Sequence, residues 1–130
     1  MFNGLYADGL LRDGRYDEAL GALDEALVFA EQTGERWWES RIHHLRGEAL
    51  LHSGNSDSAT ASLQMAIQVA RAQNAKSWEL RAATRLAQLW AEQGKRENAR
   101  DLLAPIYGWF TEGFDTGDLK DAKALLDDLA

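Results

Sequence analysis

The chain has 130 residues, 45% of them hydrophobic and 27% charged, which is one domain's worth with enough apolar material for a core and too much for disorder. A net charge of −7 argues against a general nucleic-acid surface, which would need a basic stripe, and the absence of cysteine removes disulfide and thiolate chemistry. No stretch approaches the roughly 20 apolar residues of a membrane span, and no basic segment followed by an apolar run opens the chain, so a cytoplasmic, helical domain is expected.

A period of forty organises everything after that. Gly14, Gly54 and Gly94 are each followed five positions later by alanine, at Ala19, Ala59 and Ala99. The same register aligns Leu10, Leu50 and Trp90 before the glycine, and Leu23, Leu63 and Leu103 after it. Small residues recur at Ala7, Gly47 and Ala87, and Ala26, Ala66 and Ile106 share a further column. Trp38-Glu39 returns as Trp78-Glu79, and Arg41 as Arg81.

Taken in chain order, the first unit covers about residues 1–36 and begins on Phe2, Leu5 and Tyr6 with no polar helix before them. That edge is expected either to have been cut from a longer chain or to pair with a second copy. The second unit, about 37–76, predicts a helix from about Trp37 to Ser53 with Ile42, Leu45, Ala49 and Leu50 on one face. Gly54 stops it, and a second helix presents Ala59, Leu63, Ala66, Ile67 and Ala70. Trp37, Trp38 and Trp78 fall at unit junctions, where a large ring packs across the gap between hairpins.

The third unit, about 77–115, places Pro105 inside its second helix, which predicts a kink near Asp101 to Pro105. Tyr107 and Phe110 take core columns there and, with Trp109 and Phe114, are expected to fill the space before the last helix. That helix, about 116–130, is half a unit. Thr116 is its N-cap candidate with Asp118 in the first turn. Leu119, Ala122, Leu125, Leu126 and Leu129 face the core, while Lys120, Asp121, Lys123 and Asp127 face water. One helical hairpin cannot bury its apolar face, but about three stacked ones can, and the chain has three plus a cap.

These columns, clearest in LRGEALLHSGNSDSATASLQMAIQVA from Leu45 to Ala70, resemble the tetratricopeptide repeat (TPR). The resemblance implies an all-α, TPR-like solenoid of three antiparallel hairpins and a capping helix. The period exceeds the usual ~34 residues by about six, as in the longer-helix variant of bacterial regulatory proteins. The proline that usually closes each unit is missing, and Leu10, Leu50 and Trp90 stand where tyrosine is usual; both departures bear on superhelical pitch and not on the stacking. The stretch from Ala75 to Leu129 resembles the C-terminal TPR tails of large bacterial signalling proteins, in which a nucleotidyl cyclase or DNA-binding regulator domain precedes an ATPase. None of the cyclase or ATPase motifs is present, so that resemblance carries over no activity.

No phosphate loop, dinucleotide fingerprint or zinc-protease motif occurs, and no serine has an evident base beside it, so neither enzyme nor cofactor is expected. His44, Glu48 and His52, with His43 adjacent, share one helix face, yet a single ion would reach only neighbouring members of that row. No metal is expected. The same row has another use. In a TPR stack the first helix of each unit lines the concave surface, and the resemblance maps its groove positions onto Asp8, Arg12, Arg41, His44, Glu48, Arg81, Thr84 and Gln88. Such a face suits a protein or peptide, including upstream domains of a parent chain, with the recurring arginines gripping carboxylates. The alternative readings are a small-ligand sensor controlling an attached ATPase or cyclase, and a homodimerisation module using the N-terminal edge.

Overall fold

A computed structural model describes residues 12–34, 39–110 and 116–129. Six α-helices account for nearly all of them: α1 (Tyr16–Thr33), α2 (Glu39–His52), α3 (Ser56–Ala72), α4 (Lys76–Glu92), α5 (Arg96–Gly108) and α6 (Gly117–Leu129). No strand occurs among the described residues. Each helix packs on the next, α2 also touches α4, and α4 touches α6. The result is an all-α repeat solenoid in which α2–α3 and α4–α5 are complete hairpins, α1 is the second helix of the first unit, and α6 is a half-unit cap.

Local chemistry explains the turns. Gly14, Gly54 and Gly94 have φ of 76°, 81° and 81°, the left-handed conformation that only glycine adopts without strain. At Gly54 the turn closes with Asn55 N–H donating to the Leu50 carbonyl at 2.8 Å and Gly54 N–H to Leu51 at 3.1 Å. Forty residues on, Lys95 donates to Trp90 at 2.8 Å and Gly94 to Ala91 at 3.1 Å. This pair of hydrogen bonds satisfies carbonyls at the end of the helix and turns the chain back. The turns between units use the same device: Asn74 has φ 56°, and Ala75 N–H reaches the Ala70 carbonyl at 2.8 Å. Gly34, forty positions before Asn74, has φ 76°. The Gly34/Asn74 column was not evident from the sequence because its second member is not glycine.

The apolar columns become the core. Ala19, Ala59, Ala99, Leu63 and Leu103 have no exposed surface, and Leu23 retains 1%. Ile42, Leu45, Ala49 and Leu50 of α2 and Ala59, Leu63, Ala66, Ile67 and Ala70 of α3 are all buried, as their helical spacing predicts. Gly47 marks the closest approach within the second hairpin: a Cβ there would lie 2.8 Å from Leu63 Cγ. The buried Ser40 hydroxyl donates to the Ala66 carbonyl at 2.8 Å, joining α2 to α3. Trp78 is half-buried beside Ser40, Arg41 and His44 of the preceding unit, a junction position as expected, whereas Trp37 and Trp38 lie outside the described residues.

One expectation about the third unit needs amendment, that Trp109 helps to fill the core. Helix α5 runs through Pro105 to Gly108 and has 13 residues where α3 has 17. Its end tightens into short-range bonds, Trp109 N–H to Ile106 at 3.3 Å and Phe110 N–H to Tyr107 at 3.1 Å. Tyr107 and Phe110 do pack against the core, but Trp109 does not. It is 58% exposed, because Tyr107 and Phe110 are three positions apart and share a face that Trp109 cannot join. Its ring instead meets the edge of Phe110 at 5.2 Å and carries the Lys76 ammonium 5.3 Å from its centroid. Phe114 lies outside the described residues.

The cap follows its register. The Thr116 carbonyl accepts from Lys120 N–H at 3.0 Å as the helix begins. Leu119, Ala122 and Leu129 are buried, while Leu125 and Leu126 are half-buried against the same cluster. At the far end Arg96 of α5 donates to the main-chain carbonyl of Asp128, placing a cation on the negative end of α6.

Candidate functional site

The first helices α2, α4 and α6 lie side by side, and their polar faces meet in a cleft of about 330 Å³. Helix α2 contributes Arg41 and His44, α4 contributes Arg81, Thr84, Arg85 and Gln88, and α6 contributes Asp118 and Asp121. Residues 81, 84, 85 and 88 fall on one face of α4 because three- and four-residue steps return to the same side of a helix. Among the described residues every lining side chain is polar or charged. Five of the eight groove candidates from the sequence therefore come together here: Arg41, His44, Arg81, Thr84 and Gln88. Arg12 is exposed and does not line the cleft, and Asp8 lies outside the described residues.

The charges are already partly committed. Arg81 Nε donates to Asp118 Oδ2 at 2.7 Å, which ties the cap to the third unit across the mouth of the cleft. Arg85 Nε donates to Glu48 Oε1 at 2.6 Å, and its Nη1 reaches Gln88 Oε1 at 3.5 Å. Glu48 thus stands behind the cleft as the anchor of Arg85 and not in its lining. His44 Nε2 and His52 Nε2 lie 3.8 and 3.9 Å from its two carboxylate oxygens. Burial acts to raise the Glu48 pKa, but the neighbouring His44 imidazole and the Arg85 guanidinium outweigh it and hold the carboxyl below its ordinary 4.5. The carboxylate of the His44–Glu48–His52 row therefore neutralises a guanidinium. Thr84 is also less available than its helix position suggests: it is 7% exposed, and its hydroxyl donates to the Leu80 carbonyl of its own helix at 2.8 Å.

Three lining residues escaped the sequence reading. Arg85 had a local signal, since it lies one turn beyond Arg81 on the same face. Asp118 and Asp121 had a weaker one. Asp121 occupies the Arg41/Arg81 column, but a forty-residue register says nothing about which neighbour the cap helix will meet. Asp121 is exposed, as its register predicts, and because α6 leans on α4 its carboxylate also lines the cleft.

A second hollow, of about 390 Å³, opens on the other side of α2 between α1 and α3, lined by Asp24, Leu27, His43, Arg46, Ser58, Ala61, Ser62 and Met65. Arg46 crosses its floor, with Nε 3.0 Å from Asp24 Oδ1 and Nη1 3.3 Å from Ser62 Oγ. It belongs to the packing between successive units. Glu79, 2% exposed at the start of α4, does similar work: it accepts from Arg71 Nε of α3 at 2.6 Å and Lys76 Nζ at 3.3 Å. The sequence marked Trp78-Glu79 as a recurring pair without revealing that the carboxylate is buried.

Among the described residues no helix is long and apolar enough to cross a membrane. Neither a curated protein nor a solved structure matches the sequence. A family profile described as tetratricopeptide repeat matches residues 1–72, more than half the chain, and the repeat columns, left-handed turns and stacked hairpins agree with it. The chain belongs to the tetratricopeptide repeat family.

Proposed function

We propose that the chain is a non-enzymatic interaction module that holds a peptide segment or partner domain in the cleft across α2, α4 and α6. The carrying observation is the polar lining that the described residues of three successive first helices supply, on a family whose members typically mediate protein–protein contacts. Arg41, Arg81 and Arg85 supply guanidinium forks suited to carboxylates, and His44 and Gln88 supply adaptable hydrogen-bonding groups between them. Arg12, with Asp8, would extend the row into the first unit. A small-ligand sensor would call for an enclosed, mostly apolar pocket with a few convergent polar groups. The open cleft lined by eight polar side chains favours the peptide reading. The likeness of the C-terminal half to the tails of bacterial signalling proteins suggests that the partner is a domain of the same parent chain and that the role is regulatory. The homodimer reading rests on Phe2, Leu5 and Tyr6, which lie outside the described residues.

The test is selection of a random dodecapeptide display library on the protein, followed by binding of the selected peptides to an Arg41→Glu, Gln88→Ala variant. Peptides should lose at least tenfold in affinity while the circular dichroism and melting temperature of the variant stay unchanged. Failure to select any peptide, or equal binding by the variant, would refute the cleft as the site.

A further inference from the structure

The cleft changes sign along its length. Residues 41, 81 and 121 occupy one column of three neighbouring first helices, and they are Arg, Arg and Asp. All three line the cleft. Around them the α2–α4 side adds Arg85, and the α6 side adds Asp118. Two internal ion pairs each offset one charge of either sign, Arg81 with Asp118 and Arg85 with Glu48, whereas the Asp121 side chain makes no ion pair or hydrogen bond among the described residues. Arg81 engages Asp118 through Nε, and a guanidinium has five N–H donors, so the arginine side keeps donors for a second acceptor.

We infer that the segment held in this cleft is bipolar, placing a carboxylate over the Arg41–Arg81 side and a basic side chain on Asp121. This rests on the reading of the cleft as a peptide groove. A uniformly acidic peptide would meet Asp121 and Asp118 at the cap, and a uniformly basic one would meet the arginines; only a segment with both signs is matched along its full length. The geometry also sets a spacing. Packed helices lie about 8–10 Å apart, so the distance from the α2 column to the α6 column is roughly 16–20 Å. An extended chain advances about 3.3 Å per residue, which puts the acidic and basic residues about five or six positions apart.

The experiment runs the same dodecapeptide library on the unaltered protein and on Asp121→Lys. Peptides from the unaltered protein should carry an acidic and a basic residue about five or six positions apart, and should bind Asp121→Lys roughly fivefold more weakly, as befits a solvent-exposed pair. Selection on Asp121→Lys should replace the basic residue with an acidic one. Asp121→Asn, which keeps the size and removes the charge, should abolish the basic preference and report the same thing if the lysine variant folds poorly. If peptides are selected but share one charge pattern on all three proteins, the bipolar inference falls while the peptide groove stands. If no peptide is selected on any of them, both fall.

Discussion

Gly47 and Gly94 show how differently one residue type can act. Gly94 has φ 81° and nothing within 4 Å of where a Cβ would stand, so its role is purely conformational. Gly47 sits inside α2 with an ordinary backbone, but an added Cβ would lie 2.8 Å from Leu63 Cγ and 3.1 Å from Leu63 Cδ2. Alanine at 47 would gain roughly 1 kcal/mol of helix propensity. Overpacking against a fully buried leucine costs about 1–3 kcal/mol. Gly47→Ala is therefore expected to lower stability by about 1 kcal/mol net in urea denaturation. Leu63→Ala in the same chain should make the glycine replacement favourable, giving a clear coupling in a double-mutant cycle. A more stable single variant would show that Leu63 moves aside freely. The sequence marked position 47 as small through its column with Ala7 and Ala87; it could not show that here even a methyl group collides.

At the scale of the helix and its turn, most of the fold was legible. A left-handed stop, a three-residue link and an apolar stripe are properties of short segments, and each is written locally in Gly54, Gly94 and the column of Leu63 and Leu103. Gly94→Ala should cost about 1–2 kcal/mol from backbone strain alone. Gly94→Asn should cost less, because Asn74 already holds the equivalent conformation at the turn between units. Equal losses for Ala and Asn by thermal denaturation would contradict the strain account. What was not legible at this scale was the end of α5. The three-residue spacing of Tyr107 and Phe110 turns them inward together, and Trp109 falls outside their shared face onto Lys76, a residue from the start of α4.

On the scale of the whole molecule, interactions between helices set the response to acid. Burial lowers the pKa of His43 below its ordinary 6.5; nearby Arg46 adds to this and Glu39, 4.0 Å away, opposes it. The folded chain therefore releases a proton that the unfolded chain keeps, and stability falls as pH drops from 6.5 to the lower folded value. Glu48 is lowered beneath 4.5, so its contribution is present above 4.5 and disappears as pH falls through its folded value. Urea midpoints measured from pH 7.5 down to 2.5 should fall in two windows, and His43→Gln should flatten the upper one only. A variant whose upper slope matches the unaltered protein would remove His43 from that role.

Period, helix content, the glycine turns within units and the core columns were determined by the sequence alone, because each is a short local pattern that recurs every forty residues. The relation between charges was decided only by the tertiary structure. Arg81 to Asp118 and Arg85 to Glu48 are each pairs separated by 37 positions, and Arg46 to Asp24 by 22. No local pattern encodes such pairs, since they exist only once neighbouring helices have packed together. The arginines that the repeat places in a row form one half of a polar cleft whose other half is carried by the cap.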